Sequence, residues 1–245
     1  MNDAPALILL PGLASDDALW ADIPQRLAAA GRPPAAITRV HFGHDTLPAM
    51  AEALLAAHAG PLLLAGTSMG GMVAMHAALR APRRVAALAL LGTSARADTP
   101  ELIRLRTEAC ALFAAGRMDE VLRANVPFAF HPDHAADAGL VDAYLAMIGR
   151  AGAPALIRQN RAVMARPDLR PELPRLRCRT LVMVGEADAL TPPEHAQEIA
   201  AAVRGAEFVS VPGAGHMLTM EQPAAVAQLL LDWLLELPPA AGPMR

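Results

Sequence analysis

Short runs of apolar residues alternate with segments of helical periodicity along the first third of the chain. The continuous apolar runs are typical of strands buried on both faces of a parallel sheet. They predict strands at Ala6–Leu10, Ala36–Phe42, Leu62–Ala65 and Val85–Leu91. Apolar positions three or four residues apart predict helices between them, at Ala21–Ala30, Pro48–His58 and Met69–Ala81. This regular alternation predicts an α/β fold with a doubly wound, mostly parallel sheet.

The alternation stops after the fourth predicted strand and resumes near residue 180. The residues between these two points show helical periodicity only. This periodicity predicts helices at Thr99–Ala115, Met118–Ala124, His134–Gly149 and Pro154–Ala165. The last part predicts strands and helices in turn, at Thr180–Val184, Pro193–Val203, Glu207–Val211 and Gln222–Leu237. We therefore expect an α/β core of about six strands, formed by residues 1–94 and 175–245. Residues 95–174 are expected to be an inserted helical lid over the carboxyl edge of the sheet, where ligands bind in open α/β sheets.

Composition narrows the choice of partners and compartment. The chain has 245 residues, of which 54% are hydrophobic, and a net charge of −3. Such a balance predicts no nucleic-acid or anionic-membrane partner, and the absence of an apolar run of about 18 residues predicts no transmembrane helix. The segment MNDAPALILLPG has no basic start and no long apolar stretch, so we expect a cytoplasmic protein without a signal peptide. Two cysteines, Cys110 and Cys178, do not form a disulfide framework.

The strongest chemical signal is the segment GTSMGG at residues 66–71, which lies between a predicted strand and a predicted helix. A G-x-S-x-G in this context is typical of a nucleophile elbow, in which a sharp turn exposes the serine at the end of a sheet. Its glycines allow the helix and strand to approach closely. The alternative is a glycine-rich turn in which Ser68 only caps the following helix.

A nucleophilic serine needs a base, and the base needs an acid that orients it. In this fold the expected chain order is serine, acid, histidine, with each group after a strand. Asp188 follows the predicted strand Thr180–Val184, and His216 follows Glu207–Val211 in a glycine-rich loop. Glu186 is a rival acid on the same loop, and strand periodicity does not choose between it and Asp188.

Two backbone N–H groups are candidates for an oxyanion hole. One belongs to Met69, directly after the serine, and the other to Leu13, in the Pro-Gly turn after the first predicted strand. The same sequence would also form an ordinary β-turn. His131 and His134 could suggest a metal pair, but Pro132 prevents a regular helical presentation of the two rings, so we expect no metal and no cofactor.

The segments LLPGL, GTSMGG, VGEADALTPP and PGAGHMLTMEQP together resemble the α/β-hydrolase fold superfamily in order and spacing. They are most similar to the small bacterial esterases and lactonases, a branch that includes 3-oxoadipate enol-lactonases and pimeloyl-carrier-protein methyl esterases. The resemblance implies a triad of Ser68, Asp188 and His216, and an oxyanion hole at Leu13 and Met69. Two features depart from it. Pro11 replaces the usual histidine of the first loop, and the chain starts at what corresponds to the third strand.

We therefore expect a serine hydrolase that cleaves a small-molecule ester or lactone through an acyl-enzyme. The same triad would also suit a C–C bond hydrolase, a perhydrolase or a lyase, and a noncatalytic ligand-binding protein is a further alternative. Several large lid residues are candidates for an apolar substrate pocket, although the core of the lid would also explain them. They are Phe113, Phe128, Phe130, Tyr144, Leu145, Met147 and Met164.

Overall fold

The sheet has the predicted parallel arrangement. The computed structural model describes residues 5–30, 37–39 and 43–236, and of residues 37–39 it describes the backbone alone. Within these ranges it contains one six-stranded sheet of order β2-β1-β3-β4-β5-β6, in which every neighbouring pair is parallel. The strands are β1 (Ala6–Leu10), β2 (Ile37–Arg39), β3 (Leu62–Thr67), β4 (Val85–Leu91), β5 (Arg179–Gly185) and β6 (Glu207–Val211). The other residues of the predicted strand Ala36–Phe42 lie outside the described part.

Alternation along the strands divides the core into two layers. Leu7 and Leu9 of β1 face one apolar layer, while Ile8 and Leu10 face the other. The first layer contains residues of α1 (Asp22–Ala29) and α10 (Pro223–Leu235), and the second contains residues of α2 (Leu47–Ala57), α3 (Met69–Arg80) and α8 (Pro193–Ala202). All six residues of β3 are buried, as expected for a strand covered on both faces.

A helical segment separates β4 from β5, as the sequence predicts. It contains α4 (Pro100–Ala114), α5 (Met118–Ala129), α6 (Pro132–Ala135) and α7 (Ala138–Met164), and a 3₁₀ turn at Arg170–Arg175 follows. Helix α5 runs past its predicted end at Ala124 and includes Pro127. Its buried positions, Leu122, Val126 and Ala129, keep one face on the core, so tertiary packing outweighs the local cost of the proline.

Helix α7 is two helices joined at a bend. Gly152 there has φ +75° and ψ 170°, which is not helical, and the break falls between the two predicted helices His134–Gly149 and Pro154–Ala165. Among the described residues, α7 is one helix whose overall length and composition would suit a membrane span. Neither half on its own reaches the roughly 20 residues that a straight span requires.

Candidate active site

Ser68 occupies a strained turn between β3 and α3. Its backbone has φ +50° and ψ −116°, an uncommon conformation for a residue with a side chain, which costs about 1–3 kcal/mol and often marks a functional site. Two hydrogen bonds hold the turn: the Ser68 N–H donates to Leu91 O at 2.8 Å, and the Thr93 hydroxyl donates to Ser68 O at 2.7 Å. The Ser68 side chain makes no capping hydrogen bond to α3, so the capping alternative does not describe this turn.

Close packing of main chain against main chain explains the glycine at residue 70. A Cβ on Gly70 would lie 2.6 Å from the carbonyl oxygen of Pro11 and also against that of Leu10. No side chain fits there without moving the backbone. The first turn of α3 is thereby brought against the loop after β1, which contains Leu13.

His216 and Asp188 meet across the ends of β5 and β6. Nδ1 of His216 lies 2.9 Å and 3.0 Å from the two carboxylate oxygens of Asp188. The Asp188 side chain has no exposed surface, and that of His216 is 9% exposed. The N–H groups of Leu190 and Thr191 donate to Asp188 Oδ1, and the Thr191 hydroxyl donates to Oδ2 at 2.9 Å. An ionised carboxylate only accepts hydrogen bonds, so this arrangement requires the His216 proton on Nδ1.

The same contacts determine the charge state of Asp188. Burial raises the pKa of its carboxyl, but the electrostatic attraction between the carboxylate and the His216 ring and the hydrogen bonds from His216 and Thr191 outweigh burial. The pKa of Asp188 therefore lies below its ordinary value, and the group is a carboxylate at neutral pH.

Glu186 lies apart from this pair. Its side chain is 49% exposed and accepts the Gly213 N–H at 2.7 Å, and its nearest imidazole nitrogen is Nε2 of His131, at 3.8 Å. No group of three or more His, Cys, Asp or Glu side chains suited to a metal ion occurs among the described residues.

A cavity of about 510 Å³ lies at the carboxyl edge of the sheet. Its floor includes Ser68, Met69, His216 and the turn at Gly12 and Leu13. Residues of the helical segment, together with others such as Leu190 of the loop after β5, form its walls. Met69 is the first residue of α3, where a backbone N–H has no acceptor inside the helix. Both candidate oxyanion donors thus belong to residues that line the cavity with Ser68.

The large residues predicted to form the pocket divide into two groups. Phe113, Phe128 and Tyr144 line the cavity, and Phe128 lies at its rim with 54% of its surface exposed. Phe130, Leu145, Met147 and Met164 do not line it. Phe130 packs edge-on against Tyr144, Leu145 and Met147 are buried in the same apolar layer, and Met164 contacts the Thr107 hydroxyl instead.

One wall of the cavity contains a buried charge cluster that sequence reasoning missed. Asp98 Oδ1 lies 2.7 Å from Arg166, and Asp98 Oδ2 accepts a hydrogen bond from Arg106 at 2.9 Å. Arg106 also donates to Asn160 Oδ1, so the cluster joins α4 to α7. Burial lowers the pKa of Arg166, although Asp98 opposes this shift. These residues are up to 68 positions apart (98 to 166), and no local pattern links them.

This combination of a parallel sheet, a serine in a strained turn and a buried Asp–His pair is that of a hydrolase. The sequence model described as Alpha/beta hydrolase family matches residues 7–229. The chain therefore belongs to the alpha/beta hydrolase family and is an enzyme.

Individual relatives agree with this assignment. A pimeloyl-[acyl-carrier protein] methyl ester esterase of Neisseria meningitidis is 28% identical over 195 residues, which are 76% of this chain and 74% of that protein. A thermophilic esterase from Thermogutta terrifontis, solved with malate bound, is 28% identical with a TM-score of 0.85, covering 95% of this chain and 90% of that one. The enol-lactonase of Burkholderia xenovorans LB400 has the same fold, at 24% identity and a TM-score of 0.84, covering 96% and 93%.

We predict that Asp98→Ala lowers the free energy of unfolding by about 3 kcal/mol, because it leaves the buried Arg166 guanidinium without its carboxylate. Urea unfolding followed by tryptophan fluorescence measures the change. Glu101→Ala is the matched control, since it removes a carboxylate that is 76% exposed in α4 and should cost less than about 1 kcal/mol. Equal losses in the two variants would contradict the assigned role of the cluster.

Proposed function

We propose that this enzyme cleaves carboxylic esters with Ser68 as nucleophile, His216 as general base and Asp188 as the acid that orients His216. The observation that carries the proposal is the buried Asp188–His216 pair at the edge of the cavity that Ser68 also lines. With its proton on Nδ1, the imidazole has Nε2 available to accept the Ser68 hydroxyl proton. The esterase names of the two 28%-identical proteins support an ester as substrate.

The reaction proceeds in two halves. Ser68 Oγ attacks the ester carbonyl carbon while His216 takes its proton, and the N–H groups of Leu13 and Met69 donate to the oxyanion that forms. Collapse of this intermediate breaks the bond to the alcohol, which leaves with the proton from His216. Water then gives a proton to His216 and attacks the acyl-enzyme carbonyl. As the acid leaves, the bond to Ser68 Oγ breaks and His216 returns the proton to that oxygen, which restores Ser68. Lactones are cyclic esters and would react in the same way.

The walls of the cavity favour a substrate with an apolar acyl or alcohol portion. Leu102, Leu105, Phe128 and Leu190 line the cavity and are 39–54% exposed, which places an apolar rim at its mouth. In this proposal residues 95–174 act as the lid, and the core is formed by the flanking segments.

We predict that Ser68→Ala lowers kcat by about 10³- to 10⁶-fold, since the reaction loses its nucleophile. Hydrolysis of a p-nitrophenyl ester measures the loss, and thermal unfolding checks that the variant is folded. Ser210→Ala, an exposed position on β6, should keep full activity as a control. A Ser68→Ala enzyme with more than about a tenth of wild-type kcat would contradict the proposal.

We predict that Asp188→Asn lowers kcat by about 10³- to 10⁴-fold, because the amide can donate to the ring and favours the wrong tautomer of His216. Glu186→Gln is its control, with the same change of chemistry two residues away, and should stay within about threefold of wild type. Both variants are compared in the same ester assay. An inactive Glu186→Gln enzyme beside an active Asp188→Asn enzyme would make Glu186 the orienting acid.

A further inference from the structure

A second carboxylate lies directly beside the His216 loop, and the mechanism above does not use it. Glu221, the last residue of the short helix α9 (Leu218–Glu221), has a side chain with no exposed surface. A buried carboxylate is costly unless donors surround it. The partners of Glu221 therefore indicate what the residue does.

Those partners come from two different parts of the fold. Oε1 accepts the backbone N–H of Gly215 at 2.9 Å, directly before His216. Oε2 accepts the backbone N–H of His131 at 2.7 Å and lies 3.1 Å from Nδ1 of His134. His131 and His134 belong to the connection between α5 and α7. One carboxylate thus joins the main chain beside the proposed base to the helical segment.

The His216 loop and residues 129–131 also contact each other directly. The Met217 N–H donates to Ala129 O at 3.1 Å, and a Cβ on Gly215 would lie 2.6 Å from the backbone nitrogen of His131. Residues on both sides of His216 are therefore fixed to residues 129–131. The Asp188 pair sets the orientation of the imidazole ring, whereas these contacts set the position of its backbone.

We propose that Glu221 is a positioning residue, which holds the main chain of His216 at the correct position relative to Ser68. Because Glu221 also binds His131 and His134, that position depends on how residues 129–134 pack against the His216 loop. The inference rests on the proposed role of His216 as general base. A misplacement of about 1 Å can cost roughly 100-fold in rate. Loss of the Glu221 contacts should therefore reduce turnover more than substrate binding.

Glu221→Gln is the sharpest test because it keeps size and shape. A carboxamide has one acceptor oxygen, so its NH₂ group must face the N–H of either Gly215 or His131. We expect kcat, corrected for the folded fraction, to fall about 10- to 100-fold while KM stays within about threefold. Labelling of Ser68 by a fluorophosphonate should slow in the same proportion. A purely structural role would lower the melting temperature but leave kcat per folded molecule unchanged.

Two further variants make each outcome decisive. Glu186→Gln makes the same change in a half-exposed carboxylate on the neighbouring loop after β5, and it should behave like wild type. His134→Ala removes one donor and keeps both backbone bonds, so kcat should fall only about 3- to 10-fold. A folded Glu221→Gln enzyme with wild-type kcat overturns the inference. If that variant does not fold, wild-type kcat in His134→Ala overturns it.

His216→Ala, measured in parallel, separates this inference from the proposed function. If His216→Ala is inactive and Glu221→Gln is fully active, only the positioning role of Glu221 fails. If His216→Ala itself retains activity, the proposed function fails, and the inference about Glu221 fails with it.

Discussion

The strained backbone of Ser68 is the constraint on which the rest of the site depends. A residue with a side chain keeps φ near +50° only where its surroundings determine the conformation. Leu91, the last residue of β4, and Thr93, just after that strand, hold the conformation by hydrogen bonds to Ser68. On the other side, the close contact between Gly70 and the loop after β1 restrains the same turn. Contacts with the segments on either side of β3 therefore hold the serine in the conformation that places it at the cavity floor.

Buried carboxylates then fix the other parts of the site to this point. Asp188 binds Nδ1 of His216, and Glu221 accepts the N–H of the residue before it. Asp98 pairs with Arg106 of α4 and with Arg166, just after α7, in the cavity wall. Each of these three carboxylate side chains is at most 1% exposed and surrounded by donors from more than one element. Because an unpaired buried charge is costly, each arrangement favours a single geometry. The cavity is thus bounded by elements whose relative positions are set by polar contacts as well as by apolar packing.

Local patterns were sufficient to predict the fold class and most of the secondary structure. Apolar runs located the strands, helical periodicity located the inserted helices, and the break at Gly152 fell between two predicted helices. Parallel pairing followed from the alternation, but the strand order did not, since it depends on contacts between distant segments. The extension of α5 beyond Ala124 was missed because its burial is decided by neighbouring helices. The proposed catalytic residues were found because each follows a strand end in a recognisable loop.

The parts of the site that the sequence could not predict depend on contacts between residues far apart along the chain. Periodicity could not separate Asp188 from Glu186, and the contact of Asp188 with His216 distinguishes them only in three dimensions. Glu221 lies inside a recognised segment, yet its partners His131 and His134 are about 90 residues away in sequence. Its signal was a charged residue in an otherwise apolar stretch after His216. The large apolar residues of the helical segment were equally compatible with core and cavity, because both environments favour large apolar side chains.

The central claim is that Ser68 is the nucleophile activated by His216, and covalent labelling tests it most directly. A fluorophosphonate loses fluoride as it forms a bond to the attacking oxygen, and mass spectrometry of a digest then locates the adduct. We predict one adduct, on Ser68, that forms at least about 100-fold more slowly in His216→Ala. An adduct on another residue, or labelling of Ser68 at an unchanged rate without His216, would contradict it.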